Sequence, residues 1–336
     1  MTQTFEIAVI GATGTVGETL VQILEELAFP VGTLYLLAGS NSAGASVPFR
    51  GKNVRVREVD EFDFSKAQLA FFAAGPAVTL GFAPRATAAG CAVIDLSGAL
   101  PAEQAPPVVP EANAHVLEGL KKPFQVSSPS PSATNLAVVL APLRGLVDIQ
   151  RVSVTANLAV SALGREAVSE LARQTAELLN VRPLEPAFFD RQMAFNLLAQ
   201  VGKPDAKGHT DLEKRLIHEL RAVLDTPALK VSATCVQAPV FFGDSLTVSL
   251  QLAEPVDLIA INRALEVAPG IELVEEGDYP TAVGDAVGQD VVYAGRVRAG
   301  LDDPAELNLW LTSDNVRKGA ALNAVQLAQL LIKRLV

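Results

Sequence analysis

Three glycines at fixed spacing, in Gly11-Ala12-Thr13-Gly14-Thr15-Val16-Gly17, follow the apolar run 7–10 and open a segment with helical apolar spacing through Leu27. Few folds place such a loop there. The order strand, glycine loop, helix predicts a parallel βαβ unit, in which glycines let the backbone approach a bound group and the helix N-terminus receives negative charge. Strand-like runs at 33–37, 69–73 and 92–96, with a helical pattern at 78–89, extend the alternation and predict a parallel sheet. In that setting the loop reads as a dinucleotide-binding turn, with Gly11, Thr13, Gly14, Thr15 and Val16 at the pyrophosphate.

At 336 residues the chain exceeds the usual size of one core, and its pattern changes after residue 130. Strand-like runs at 151–159, 231–240, 245–252 and 291–298 are joined by helical stretches at 165–179, 211–224 and 257–268. Long strands with few helices between them predict a mixed or antiparallel sheet with helices on one face. The helical pattern at 318–335 is expected to pack back on the first domain, and the proline-rich stretch 101–110 reads as a loop. The fold class is therefore α/β: a Rossmann-type parallel-sheet domain (1–130 plus 315–336) and a second α+β domain (131–314).

A net charge of −10 argues against a nucleic-acid or anionic-membrane partner, since both demand a basic surface. No apolar stretch reaches the roughly 18 residues of a spanning helix. The first strand starts so near Met1 that a signal peptide has no room, which makes the cytoplasm the expected location. Cys91 and Cys235 sit in strand-like apolar runs and read as buried thiols, and no metal-ligand spacing is present.

Several longer motifs carry a family resemblance. Phe72-Ala73-Ala74-Gly75, Ile94-Asp95-Leu96-Ser97-Gly98-Ala99, Val108-Val109-Pro110-Glu111-Ala112-Asn113, Lys230-Val231-Ser232-Ala233-Thr234-Cys235-Val236 and Asp314-Asn315-Val316-Arg317-Lys318-Gly319-Ala320-Ala321 occur in this order. Together they resemble the aspartate-semialdehyde dehydrogenases over essentially the whole chain. The resemblance implies NADP or NAD as cofactor, with contacts from Ser40, Asn41, Ser42, Gly75, Ser161 and Asn315. It also implies a homodimer and a small metabolite as ligand. The family's 2′-phosphate clamp, Ser-x-Arg-Ser-Ala-Gly, reads Ser40-Asn41-Ser42-Ala43-Gly44 here, so the arginine is missing, and the expectation is either weak cofactor binding or a lost preference between NADP and NAD.

The family's catalytic pattern is depleted. By resemblance, the segment Ser128-Pro129-Ser130-Pro131-Ser132 stands at Asn-Pro-Asn-Cys-Ser/Thr, which puts Pro131 at the nucleophilic cysteine. Read from the residues alone, Ser130 and Pro131 are good helix-start chemistry, as an N-cap and a first helical residue. Ser130 or Ser132 as a replacement nucleophile would need an adjacent base, and none is obvious. The base of Gly-His-Ser is Asp244, the substrate-carboxylate arginine is Gln237, the glutamine of Gln-Ala-Val-Ser-Gly is Leu158, and the phosphate-site arginine falls at Pro101. An aspartate near its reference pKa of about 3.9 suits base chemistry poorly at neutral pH. Glu213 and Arg215 stand near the family's acid and lysine, as remnants of the substrate pocket.

No catalytic residue of the family mechanism is therefore expected, a pattern similar to the Usg-type paralogues of the family. The function implied is a non-catalytic, NAD(P)-binding dimer. Two alternatives stay open: an NAD(P)-dependent oxidoreductase acting on an aldehyde-type amino-acid metabolite by altered chemistry, and a scaffold subunit of an active homologue.

Overall fold

In the computed structural model, which describes residues 3–335, the chain forms two compact units. The first ends at Ser130 and resumes at Ala320; the second runs from Pro131 to Gly319. Residues 315–319, expected with the first domain, pack with the second unit.

The first unit is built from β1 (Phe5–Ile10), α1 (Thr15–Glu26), β2 (Val31–Ala38), β3 (Ser46–Phe49), β4 (Lys52–Glu58), β5 (Leu69–Phe72), α2 (Pro76–Ala88), β6 (Ala92–Asp95), the short α3 (Pro110–Asn113) and β7 (Gln125–Ser127). Its strands lie in the order β3-β4-β2-β1-β5-β6-β7, all parallel except the β3–β4 hairpin. Strands β5 and β6 are buried at every residue, as strands covered on both faces must be, with Asp95 the one charged residue among them. From β1 the chain steps outward through β2 and β4, then returns to place β5 on the other side of β1. The strand order therefore reverses between β1 and β5, the position at which open α/β sheets receive their ligands.

The second unit contains α4 (Pro131–Leu140), β8 (Ile149–Leu158), α5 (Arg165–Leu179), α6 (Asp211–Val223), β9 (Lys230–Gln237), β10 (Asp244–Leu252), α7 (Leu258–Glu266), β11 (Ile271–Leu273), β12 (Val292–Ala299) and β13 (Glu306–Ser313). Its sheet runs β11-β12-β13-β10-β8-β9 and is mixed: β8–β9 and β11–β12 are parallel, the rest antiparallel. The last helix, α8 (Asn323–Leu335), belongs to the first unit, where Leu327, Ala328 and Leu331 join Leu20 and Leu24 of α1 in one core.

Helix α6 begins with a capping box. The Thr210 hydroxyl accepts the Glu213 N–H, and the Glu213 carboxylate accepts the Thr210 N–H at 2.9 Å. Thr210 is buried, so no water replaces the lost acceptor when it is removed. Thr210→Ala should lower stability by about 1 kcal/mol, read as a fall in the urea midpoint with unchanged slope.

Candidate functional site

The glycine loop leaves β1 at the point where the strand order reverses. Gly11 adopts φ +82°, and a Cβ there would lie 2.5 Å from the Ala73 carbonyl oxygen just after β5. A Cβ on Gly17 would lie 2.1 Å from the Gly11 carbonyl oxygen. These two glycines are demanded by packing. Gly14 differs: it N-caps α1 without a side-chain bond, it is exposed, and its Cβ would meet only the Gly11 oxygen, at 3.3 Å. The first-turn N–H groups of α1 carry no intrahelical acceptor, so Thr15 and Val16 present donors and a positive dipole end.

Two further loops sit at the same ends of neighbouring strands. Ser40–Ser42 forms a short 3-10 turn after β2, with Ser40 and Asn41 exposed and no charged side chain in the turn. Gly75 N-caps α2 after β5, again without a side-chain bond, and a Cβ there would meet nothing within 4 Å. The donor set and the open glycine cradle fit a dinucleotide pyrophosphate.

In the second unit the sequence-derived positions fall at the carboxyl ends of β8 and β9 and the start of β10. Asp244 is buried and accepts the Ala159 N–H at 2.9 Å, and the Gln237 side-chain amide donates to the Leu158 carbonyl at 2.7 Å. Leu158 C=O and Ala159 N–H belong to one peptide unit. The two side chains thus hold a single peptide from its two sides. Asn315 closes the adjoining turn: its Oδ1 accepts the Gly243 N–H at 2.9 Å, and its Nδ2 donates to Ser161 Oγ at 3.0 Å. Asp314, not singled out from the sequence as a site residue, accepts the N–H groups of Gly288, Val316 and Arg317.

Burial pushes the Asp244 carboxyl up to about 7, the Ala159 N–H bond works against the rise, and the Asp314 charge adds to it. The expectation of an ordinary, low-pKa aspartate is therefore overturned: complete desolvation outweighs one hydrogen bond. Cys235 is also buried, and desolvation, aided by the Glu213 and Asp244 charges, pushes its thiol up to about 12. Desolvation does the same to Cys91. Neither thiol ionises near neutrality.

Glu213 is occupied structurally, one oxygen accepting the Thr210 N–H and the other the Cys235 N–H at 3.1 Å. Arg215 pairs with Glu219 along α6 at 2.7 Å. Pro131 is the first residue of α4, and Gly319 is pressed against its ring, since a Cβ at Gly319 would lie 2.7 Å from the Pro131 Cβ.

Residues 6–120 match the family model described as semialdehyde dehydrogenase, NAD binding domain, and residues 140–318 match the semialdehyde dehydrogenase dimerisation domain. A "USG-1 protein homolog" of Azotobacter vinelandii is 60% identical over 334 residues, 99% of each chain. The chain belongs to the aspartate-semialdehyde dehydrogenase family. Among solved structures, a probable aspartate-semialdehyde dehydrogenase from Pseudomonas aeruginosa is 58% identical with TM-score 0.97, covering 99% of this chain and 100% of that one. Aspartate-semialdehyde dehydrogenase II from Vibrio cholerae is 40% identical with TM-score 0.96, covering 98% and 99%. The family frame makes the first unit an NAD(P)-binding domain. Among the described residues no helix is long and apolar enough to cross a membrane.

Proposed function

We propose that this protein is a non-catalytic, NAD(P)-binding member of the family that works as a homodimer. The observation that carries the reading is Pro131 at the start of α4. By the family motif, that is where a thiolate would stand, lowered in pKa by the helix N-terminus. Proline supplies no thiol, hydroxyl or N–H, and both cysteines are buried with thiols raised to about 12. Asp244 and Gln237, at the base and carboxylate-binding positions of the motif, are engaged with the Leu158–Ala159 peptide. Nucleophile, base and fixed cation act as a unit in such mechanisms, so their joint replacement removes the family reaction rather than slowing it.

Within this reading, Gly11, Thr13, Gly14, Thr15, Val16 and Gly75 hold the dinucleotide, and Ser40, Asn41 and Ser42 hold its adenosine ribose. With no arginine at Asn41, NADP and NAD bind weakly and with similar affinity. When bound, the dinucleotide is a hydride acceptor or donor; the residues named here bind and orient it. Purified protein should bind NADP and NAD in a calorimetric titration and give no phosphate-dependent NADP reduction with aspartate semialdehyde. Robust reduction would sink the reading.

One observation favours a second reading. A carboxyl held at about 7 is matched to proton transfer at neutral pH, so Asp244 could serve an oxidoreductase that transfers hydride without a covalent intermediate. A substrate screen following nicotinamide absorbance separates the two.

A further inference from the structure

The second unit carries a cavity of about 540 Å³ at the far end of β8 from Asp244 and Gln237. Its wall includes Ile149, the first residue of β8, whereas Asp244 and Gln237 adjoin Leu158, the last. The 10 residues of β8 put roughly 30 Å between the two places.

Two chain segments wall the cavity, and hydrogen bonds hold both. In the first, between α4 and β8, the Leu146 and Val147 N–H groups donate to the Leu143 carbonyl at 2.9 Å. The Asp148 carbonyl accepts the Ala253 N–H at 2.9 Å. The second follows α6, where Asp225 at φ +51° turns the chain out of the helix. There the Thr226 N–H donates to the Arg221 carbonyl at 2.9 Å, and the Leu229 N–H to the Thr226 carbonyl at 3.0 Å. Arg221 Nε donates to the Leu229 carbonyl at 2.8 Å, and Arg144 Nη1 crosses from the first segment to the Leu224 carbonyl at 2.8 Å. A cavity walled in this way is formed before any ligand arrives, and its volume lies in the range of small-molecule sites.

The lining divides into an apolar part and two opposite charges. Leu146, Val147, Ile149, Leu224 and Leu229 supply the first, Arg144 and Asp148 the second. Both charged residues are exposed, so a ligand can reach them. They stand four positions apart around the turn that the Val147–Leu143 bond closes, and residues so spaced on a helical turn are neighbours. A guanidinium matches a carboxylate with two parallel N–H···O bonds. The Asp148 carboxylate already accepts the Gln150 amide at 2.8 Å, and an ionised carboxylate has lone pairs for an ammonium as well.

We infer that this cavity binds a free α-amino acid with an aliphatic side chain. Its carboxylate meets Arg144, its ammonium meets Asp148, and its side chain lies against the apolar wall. A simple monocarboxylate gives Asp148 no donor, and a simple amine gives Arg144 no acceptor. An amino acid with a charged side chain would have to desolvate that charge against Leu224 and Leu229. The site stands apart from both the dinucleotide loop and the altered family positions, and uses no residue of either.

The test is thermal denaturation of the full chain over concentration series of L-leucine, L-aspartate, 4-methylpentanoate and 3-methylbutylammonium at equal ionic strength. Leucine should raise the Tm saturably. The other three, each short of one feature, should act about three- to tenfold more weakly, the range that exposed charge pairs allow. Gly145 also lines the cavity, its φ is not positive, and a Cβ there would meet nothing within 4 Å. Gly145→Leu therefore fills space without straining the backbone and should abolish the leucine shift. Asp148→Asn keeps an oxygen for the Gln150 amide and should weaken leucine while leaving 4-methylpentanoate unchanged. The proposal is overturned if any of the three other probes stabilises as well as leucine, if no probe stabilises, or if either variant binds leucine like the parent. Gly14→Ala should leave the leucine shift intact. A shift lost there would put the amino acid at the dinucleotide loop and overturn the assignment.

Discussion

At pH 8, Asp244→Asn should be more stable than the unmodified protein by about 2–4 kcal/mol. The carboxyl rises from 3.8 to about 7 on folding, because burial disfavours its charge. A group whose folded pKa lies above its unfolded value contributes stability that is fully present below the unfolded pKa and lost as pH rises through the folded one. Between about pH 4 and pH 7 the native state therefore gives up stability with each pH unit, about 1.4 kcal/mol per unit at most. Asparagine has the same shape, still accepts the Ala159 N–H and titrates nowhere in this window. Urea denaturation at pH 4 and pH 8 should show the two proteins nearly equal at the lower pH and separated at the higher. A mutant less stable than the parent at pH 8 would mean that a cation pairs with the ionised Asp244.

Gly17→Ala should cost about 3 kcal/mol or more, while Gly14→Ala should cost little stability and lose dinucleotide affinity. The Gly17 Cβ would meet the Gly11 oxygen at 2.1 Å and the Ala12 Cα at 2.9 Å, both backbone atoms that cannot swing aside. At Gly14 the single neighbour lies at 3.3 Å and has to give only a few tenths of an ångström, but a methyl there covers the open face of the loop. Urea midpoints and NADP titrations of the two variants separate packing from binding. An unshifted midpoint for Gly17→Ala would place the start of α1 elsewhere.

The first unit was legible because its signals are local. The strand at 7–10, the glycine loop and the following helix are adjacent in sequence, and β1 and α1 form where the apolar spacing puts them. The β3–β4 hairpin carries no such signal, since Lys52–Glu58 has four charged side chains around only Val54 and Val56, and β3 contains Pro48. The interior strand β13 lies outside the expected strands, although Leu307, Leu309 and Leu311 alternate with polar residues and Trp310 at the strand period. In the second unit, the positions altered relative to the family could be named from the motifs alone. What the altered side chains do could not. That Asp244 and Gln237 meet on one peptide depends on strands far apart in sequence, and the ionisation of Asp244 depends on burial, which no local pattern encodes.

The shared peptide also bears on how such a chain can change over generations. Asp244 and Gln237 meet on the Leu158–Ala159 link, where replacing Asp244 strips the buried Ala159 N–H of its acceptor, while the Leu158 carbonyl keeps the Ala238 N–H at 2.9 Å when Gln237 is replaced. Reversion toward the histidine and arginine of the family motif is thus not a sum of independent steps. A lineage that drifted into this arrangement meets a valley on the way back, and that barrier can preserve a silent pocket long after selection for its former chemistry has ended.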